Sequence, residues 1–241
     1  MSANNQEVDL SIVFPVFNEE DILESVIGKL IEDVSAFSRS FEVILSENGS
    51  TDGTRAIVAR LAAAYPQVRV LHSAVPDYGK ALQKGLVAAH GKWVANFAVD
   101  FIDLDFLKDG MDQIQDQDII MGSKYLVPQL DQRPLIRRLA GLVFSKIVKV
   151  LFHIPFADTH GIKLFRGQAM APIFSAVQTG GALFDNEMLL RAQHANLRIR
   201  EVPVPCIETR PSRSKNFRLA FRSLIGLYQM SAQLAAEARR S

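Results

Sequence analysis

The chain has 241 residues, 48% of them hydrophobic, with 27 Lys and Arg against 26 Asp and Glu for a formal charge of +1. That length and apolar content suit one large α/β domain with an ample core, and the balanced charge excludes a global basic field for nucleic acid. Cys206 is the only cysteine, which excludes an intrachain disulfide and fits a reducing compartment.

Residues 1–8 read as a polar tail, without the basic and apolar regions of a signal peptide. "LSIVFPVF" (10–17) is a β-branched and aromatic strand, after which Ile22, Leu23, Val26, Ile27, Leu30, Ile31 and Val34 recur at helical spacing. The same grammar repeats in "FEVILSE" (41–47), "VRVLHS" (68–73) and "KWVANFAVD" (92–100), each followed by a helical pattern, the last around 104–115. Such alternation predicts the α/β class: a mostly parallel central sheet with helices on both faces. "DIIMGSKYL" (118–126) predicts another strand and 135–152 a basic amphipathic helix. "ADTHGIKLFRGQAM" reads as a loop entering a short strand or helix, "RIREVPVPCIE" (198–208) as a late strand, and 216–240 as a final helix. The longest apolar stretch, 139–157, is broken by Lys146, Lys149 and His153. It therefore reads as amphipathic rather than membrane-spanning, and the protein is expected to be soluble or peripheral. No repeat or Gly/Pro-rich linker divides the chain, which favours a single domain over 1–241.

In sheets of this kind ligands bind beyond the carboxyl ends of the strands. The segments of interest are therefore "PVFNEE", "SENGSTDGT", "SAVPDYGK" and "AVDFIDLD". In "ENGSTDGT" (47–54), Gly49 and Gly53 allow positive φ, while Ser50, Thr51 and Asp52 can cap the next helix and leave backbone N–H groups facing a ligand. An ordinary tight βα turn is the alternative. There is no GxGxxG or P-loop, and the five histidines show no zinc-ligand spacing.

The order of "SIVFPVFNEE", "ENGSTDGT", "GKALQKGLVAAHGKWV", "VDFID", "GSKY", "RRLAG", "DTHGIKLF", "FDNEML" and "EVPV" resembles family 2 glycosyltransferases with the GT-A (Rossmann-like) fold. The chain is most similar to the dolichol-phosphate mannose or glucose synthase branch, over roughly residues 9–215. The resemblance implies a nucleotide-diphosphate sugar donor, with Pro15, Phe17, Asn18 and Glu19 lining the base pocket. Glu47 and Asn48 stand where the family has an acidic pair meeting the base or ribose. Lys80 stands close to the nucleotide, with a solvated helix residue as the alternative.

The same resemblance implies an Asp-x-Asp site for Mg²⁺ or Mn²⁺, but its first position is Ala98 and only the second, Asp100, is acidic. Ile102 takes the place of a metal-binding Gln, while Asp103 and Asp105 lie near enough to substitute. Three readings stay open: a metal site rebuilt on Asp100 with Asp103, a metal-free site in which Lys and Arg hold the diphosphate, or a chain without catalysis. Hard divalent cations need oxygen ligands but share them with phosphate and water. Lys124, Arg137, Arg138, Arg210, Arg213 and Lys215 match the family's phosphate contacts. Asp158 and His160 match a region near the acceptor. Asp185 and Glu187 open a helix, where capping is one reading, and a hydroxyl-binding group or general base is the other. With Asp100 they are the expected catalytic residues.

The expected function is inverting transfer of a hexose from a UDP- or GDP-sugar to a polyprenyl or dolichyl phosphate at the cytoplasmic membrane face. The alternatives are a transferase acting on a glycan or small-molecule hydroxyl, and a catalytically silent GT-A module. The helices at 135–152 and 216–240 could rest on the membrane or pack on the sheet.

Overall fold

Leu10, Ile12, Phe14 and Val16 are buried on one side of the first strand and Val13 on the other, as in a strand enclosed on both faces. The computed structural model describes residues 8–38, 40–131, 138, 139, 141–143, 145, 146, 149, 156 and 158–205. Within it this strand, β1 (Leu10–Val16), joins β2 (Phe41–Asn48), β3 (Val68–Ser73), β4 (Trp93–Asn96), β5 (Ile119–Ser123), β6 (Lys163–Arg166) and β7 (Ile199–Pro203). Among the described residues the sheet order is β3-β2-β1-β4-β6-β5-β7. β6 runs antiparallel to both of its neighbours, and every other pairing is parallel.

Strand alternation sorts the apolar side chains into two layers. On one face, Leu10, Ile12, Phe14, Val43 and Leu45 pack with α1 (Leu23–Ser35), α2 (Thr54–Ala64) and α4 (Leu104–Gln113). On the other, Val13, Ile44, Val94, Met121 and Phe165 pack with α3 (Tyr78–Val87), with a helix α5 (Gly167–Ala176) and with α6 (Leu183–His194). The expected mostly parallel sheet with helices on both faces is present. "GIKLFRGQAM" supplies both of the structures considered for it, β6 and then α5.

One strand is shorter than expected. β4 stops at Asn96, not Asp100: Asn96 pairs with Val13 of β1, which itself continues to Val16, and stands opposite Lys163, the first residue of β6, so one of its two partners ends here. After a final bond from the Phe97 N–H to the Val13 carbonyl at 3.1 Å, the chain turns. The Phe101 N–H then donates to the Ala98 carbonyl at 3.0 Å. The carboxylates therefore sit on a turn and on the start of α4, not on a strand. The expected helix at 135–152 falls partly on described residues, and those of them between 138 and 149 are helical. The final helix at 216–240 and nearly all of the N-terminal tail lie outside the described residues.

α3 lies close to the sheet because Gly85 has no side chain; a methyl group there would overlap Cγ1 of Val13. Gly85→Ala is expected to destabilise the fold by about 1–2 kcal/mol, since overpacking outweighs the gain in helix propensity. A lower urea midpoint at unchanged m would show it; an unchanged midpoint would mean the contact is slack.

Candidate active site

The order of strands reverses beside β1: β2 and β3 extend to one side of it and β4 to the other. A crevice forms at the carboxyl ends on either side of such a switch point, and ligands bind there. The loops after β1, β2, β3, β4 and β5 all reach this end. So does the loop 158–162, because β6 is antiparallel and starts beside the end of β4.

The loops after β1 and β2 are stitched together. Asn18 adopts φ +54°, a left-handed conformation that Asn tolerates better than most residues. Its N–H donates to Ser50 Oγ at 3.1 Å, and its Oδ1 accepts from the Thr51 N–H at 2.8 Å. The Glu19 N–H donates to Thr54 Oγ1 at 2.8 Å, and the Glu20 carboxylate accepts from the Gly53 N–H at 2.6 Å. Ser50 donates its N–H to Glu47 at 2.5 Å, and Thr54 donates its own to Asp52 at 3.0 Å. The expectation that this turn offers N–H groups to a ligand is thus corrected for Ser50, Thr51, Gly53 and Thr54. Their donors are consumed by side chains, two of which arrive from the neighbouring loop.

The expected nucleotide-binding residues are brought together, but several are internally engaged. Pro15 walls a cavity at the crevice and Phe17 is exposed beside it. Glu47 is fully buried, accepting from Arg55 Nε and meeting His72 Nδ1, both at 3.2 Å. Burial alone would raise its carboxyl, but the Ser50 N–H, His72 and Arg55 hold it below the ordinary carboxylate range. Asn48 Oδ1 accepts the Asp77 N–H at 2.7 Å, tying β2 to the start of α3. Lys80 reaches the Gln178 carbonyl at 2.7 Å and Gln83 Oε1 at 3.2 Å.

On the β4 side, Asp100 is exposed on the turn and makes no hydrogen bond or ion pair among the described residues. Asp103 is the N-cap of α4, its Oδ1 accepting the Phe106 N–H at 2.8 Å. Asp100, Asp103, Asp105 and Asp109 all wall one open groove of about 900 Å³. Among the described residues no three His, Cys, Asp or Glu side chains cluster as a metal site. Mg²⁺ binds through as few as one or two carboxylates plus substrate phosphate and water, and Asp100 and Asp103 both line this groove.

Lys124 pairs with Asp158 at 2.6 Å, a buried carboxyl that desolvation would raise but Lys124 and His160 hold low. Arg138 lies 3.7 Å from Asp131. Arg137, Arg210, Arg213 and Lys215 lie outside the described residues.

The residues of "FDNE" turn inward. Asp185 Oδ1 pairs with Lys163 Nζ at 2.7 Å, and both side chains are completely buried; Lys163 also donates to the Gly161 carbonyl at 2.8 Å. Glu187 accepts the N–H groups of Gln178 and Thr179 at 3.1 and 2.8 Å and pairs with Arg191 at 2.7 Å. Burial would raise its carboxyl, but the Thr179 N–H and Arg191 hold it below the ordinary range. Glu187 is thus spent on the 178–179 backbone and Arg191, whereas Asp185 pairs through Oδ1 alone and its buried Oδ2 makes no hydrogen bond among the described residues. Sequence reasoning missed Lys163, Asp77 and Asn96. The signal for two of them was a polar residue inside an apolar strand run, "IKLF" and "WVANFA".

The fold is that of the GT-A glycosyltransferases. The chain superimposes on mannosyl-3-phosphoglycerate synthase from Rubrobacter xylanophilus with TM-score 0.70 and 15% identity, covering 97% of this chain and 76% of that one. It also superimposes on glucosyl-3-phosphoglycerate synthase from Mycobacterium tuberculosis, solved with UDP, at TM-score 0.64 and 17% identity, covering 93% and 80%. The chain belongs to glycosyl transferase family 2, whose model matches residues 11–171. It is 29% identical over 204 residues to glycosyltransferase AglD of Haloferax volcanii, across 82% of this chain and 33% of that protein, so it spans about a third of AglD. It is 27% identical over 252 residues to the dolichyl-phosphate beta-glucosyltransferase of Dictyostelium discoideum, across 92% of this chain and 77% of that one.

Two outcomes follow from the buried carboxylates. Removing one partner of a buried pair leaves a charge uncompensated, so Asp185→Ala is expected to cost about 3–5 kcal/mol, while Lys163→Met with Asp185→Leu recovers most of it. A double-mutant cycle in urea measures this; additive single losses would contradict the coupling. Glu47, Asp158 and Glu187 have folded values below their unfolded ones, so their stabilisation is full above about pH 4–5 and is lost as pH falls through the depressed values. Urea midpoints should hold from neutrality to about pH 5 and then fall, with Glu187→Gln giving a shallower fall. An identical slope in that variant would refute the role given to Glu187.

Proposed function

We propose that this chain transfers a hexose, with inversion, from a nucleotide-diphosphate sugar to the phosphate of a polyprenyl or dolichyl lipid. The observation that carries the acceptor is electrostatic: Asp158, Asp185 and Glu187 are all buried in ion pairs. A hydroxyl acceptor needs a base, whereas a phosphate monoester, with a second pKa of about 6, arrives largely ionised. The names of the Dictyostelium relative and of the Saccharomyces cerevisiae dolichyl-phosphate beta-glucosyltransferase, 25% identical over 83% of this chain and 67% of that one, support the same acceptor. UDP-glucose is the first donor to try.

In this reading a phosphate oxygen of the acceptor attacks the anomeric carbon from the face opposite the leaving group. The C–O bond to the nucleoside diphosphate breaks and its electron pair leaves with the diphosphate, so no proton has to move. Pro15, Phe17, Asn18 and Glu19, with Glu47, Asn48 and Lys80 behind them, shape the nucleoside end. Lys124 and Arg138 supply positive charge toward the phosphates, with Arg137, Arg210, Arg213 and Lys215 as candidates from sequence. A divalent cation, held by Asp100 and Asp103, would neutralise charge developing on the leaving diphosphate.

A membrane surface suits the same reading. Leu126, Leu139, Leu142 and Val143 are exposed on the segment that follows β5, where Lys146 is exposed as well. Apolar residues beside lysines favour anionic headgroups. No described helix is long and apolar enough to cross a membrane.

The test is incubation with UDP-glucose or GDP-mannose and polyprenyl phosphate in anionic vesicles. A lipid-linked sugar labile to mild acid is expected, with Asp100→Ala slowing its formation at least roughly tenfold. A product stable to mild acid would point to a hydroxyl acceptor. Ala98 in place of the first carboxylate favours one rival, a silent module, for which nucleotide-sugar binding without any transfer would speak. In flotation at low salt, Leu139→Glu with Leu142→Glu should release the protein from the vesicles. Equal flotation of this variant would remove the surface from the proposal.

A further inference from the structure

Where β4 leaves the sheet, the crevice deepens into a cavity of about 140 Å³ whose polar walls are Tyr78, Asn96, Lys124, Asp158 and His160. Three of these are already engaged. Lys124 and Asp158 hold each other at 2.6 Å, and Asp158 Oδ1 takes the His160 N–H at 3.2 Å. The His160 ring lies between Thr159 Oγ1 at 3.1 Å and the Ala182 carbonyl at 3.0 Å. Asn96 is not: it is 5% exposed, its buried Oδ1 has no partner and its side-chain amide makes no hydrogen bond among the described residues, and the Tyr78 hydroxyl makes none there either.

A buried amide without partners is uncommon and costly, so its presence calls for a missing partner. Asn96 stands at the end of β4, where the ladder to β1 ends, and Ala98, two residues on, leaves the same cavity open. The nucleoside end of the proposed donor belongs to the loops after β1 and β2. The cavity lies on the other side of β1, past the phosphate-facing Lys124, where the transferred group would reach. Its volume resembles that of cavities of about 150 Å³ that admit a six-membered ring, and is several times the roughly 30 Å³ of one water. A primary amide both donates and accepts, as a sugar hydroxyl does.

We infer that Asn96 reads a hydroxyl of the hexose carried by the donor, so that part of the discrimination among nucleotide sugars resides in this side chain. The inference rests on the donor class proposed above and adds the residue that distinguishes the sugar from the nucleotide carrying it.

Calorimetric titration tests it with the purified chain, comparing UDP-glucose with UDP and GDP-mannose with GDP. For the pair that the wild-type protein binds, Asn96→Ala should weaken the nucleotide sugar roughly 3- to 10-fold and leave the free nucleoside diphosphate unchanged. If both weaken equally, or neither does, Asn96 does not read the sugar, and the functional proposal stands without it. If Asn96→Ala does not fold, deoxyglucose analogues of the donor answer on wild-type protein. One of them should bind roughly 3- to 10-fold more weakly than UDP-glucose, and equal binding by all would overturn the inference. Failure of the wild-type protein to bind any of the four nucleotides would remove the donor reading and this inference together.

Discussion

A lysine buried in a β-sheet is the constraint on which the carboxyl end of this molecule depends. Lys163 lies on β6 with its ammonium completely shielded, and desolvating such a charge costs several kcal/mol unless a partner and hydrogen bonds compensate. Compensation comes from Asp185 and the Gly161 carbonyl, which places the first turn of α6 directly over β6. From there the hydrogen bonds continue. Glu187 gathers the N–H groups of Gln178 and Thr179, the Gln178 carbonyl takes Lys80, and Asp77 takes the Gly181 N–H at 2.7 Å. Asp77 in turn donates its N–H to Asn48 at the end of β2. The close approach of α3 to this loop needs Gly79, where a methyl group would come within 2.7 Å of Gly181 and Phe184.

The same network decides what chemistry the crevice can offer. Asp158 and Glu187, held below the ordinary carboxylate range by their partners, keep their charge and geometry, which suits a site that positions charge. Preorganised dipoles and cations are the larger contribution when the reaction moves charge onto a leaving group. Asp100, left outside the network on an exposed turn, is one carboxylate still available to a cation. A nucleophile that brings its own negative charge suits such a site better than one that must first be deprotonated.

Much of the architecture was legible in the chain. The alternation of β-branched runs with helical apolar spacing specified the doubly covered sheet, because buried parallel strands must be apolar on both faces. The apolar run through Val99, however, reads alike whether or not a neighbour pairs with it, and β4 in fact ends at Asn96, where β6 begins. The donors of "STDGT" were misread for a related reason. Asn18 and Glu20, which take the N–H groups of Thr51 and Gly53, come from a loop 33 residues earlier. For Asp185 and Glu187 the sequence offers helix capping or a hydroxyl-binding group or base, and the spacing of "FDNE" does not reveal the ion pair with Lys163 or the bonds to the 178–179 backbone.

By itself, the sequence determined the class of fold, the strand-end segments that reach the crevice and the substitution of Ala98 in an acidic turn, because all three depend on residue type and local periodicity. Only the tertiary structure decided which polar groups are spent on one another and which are left over. Hydrogen bonds and ion pairs between residues 22 to 104 positions apart depend on how the strands are ordered across the sheet. Local sequence carries no record of that order.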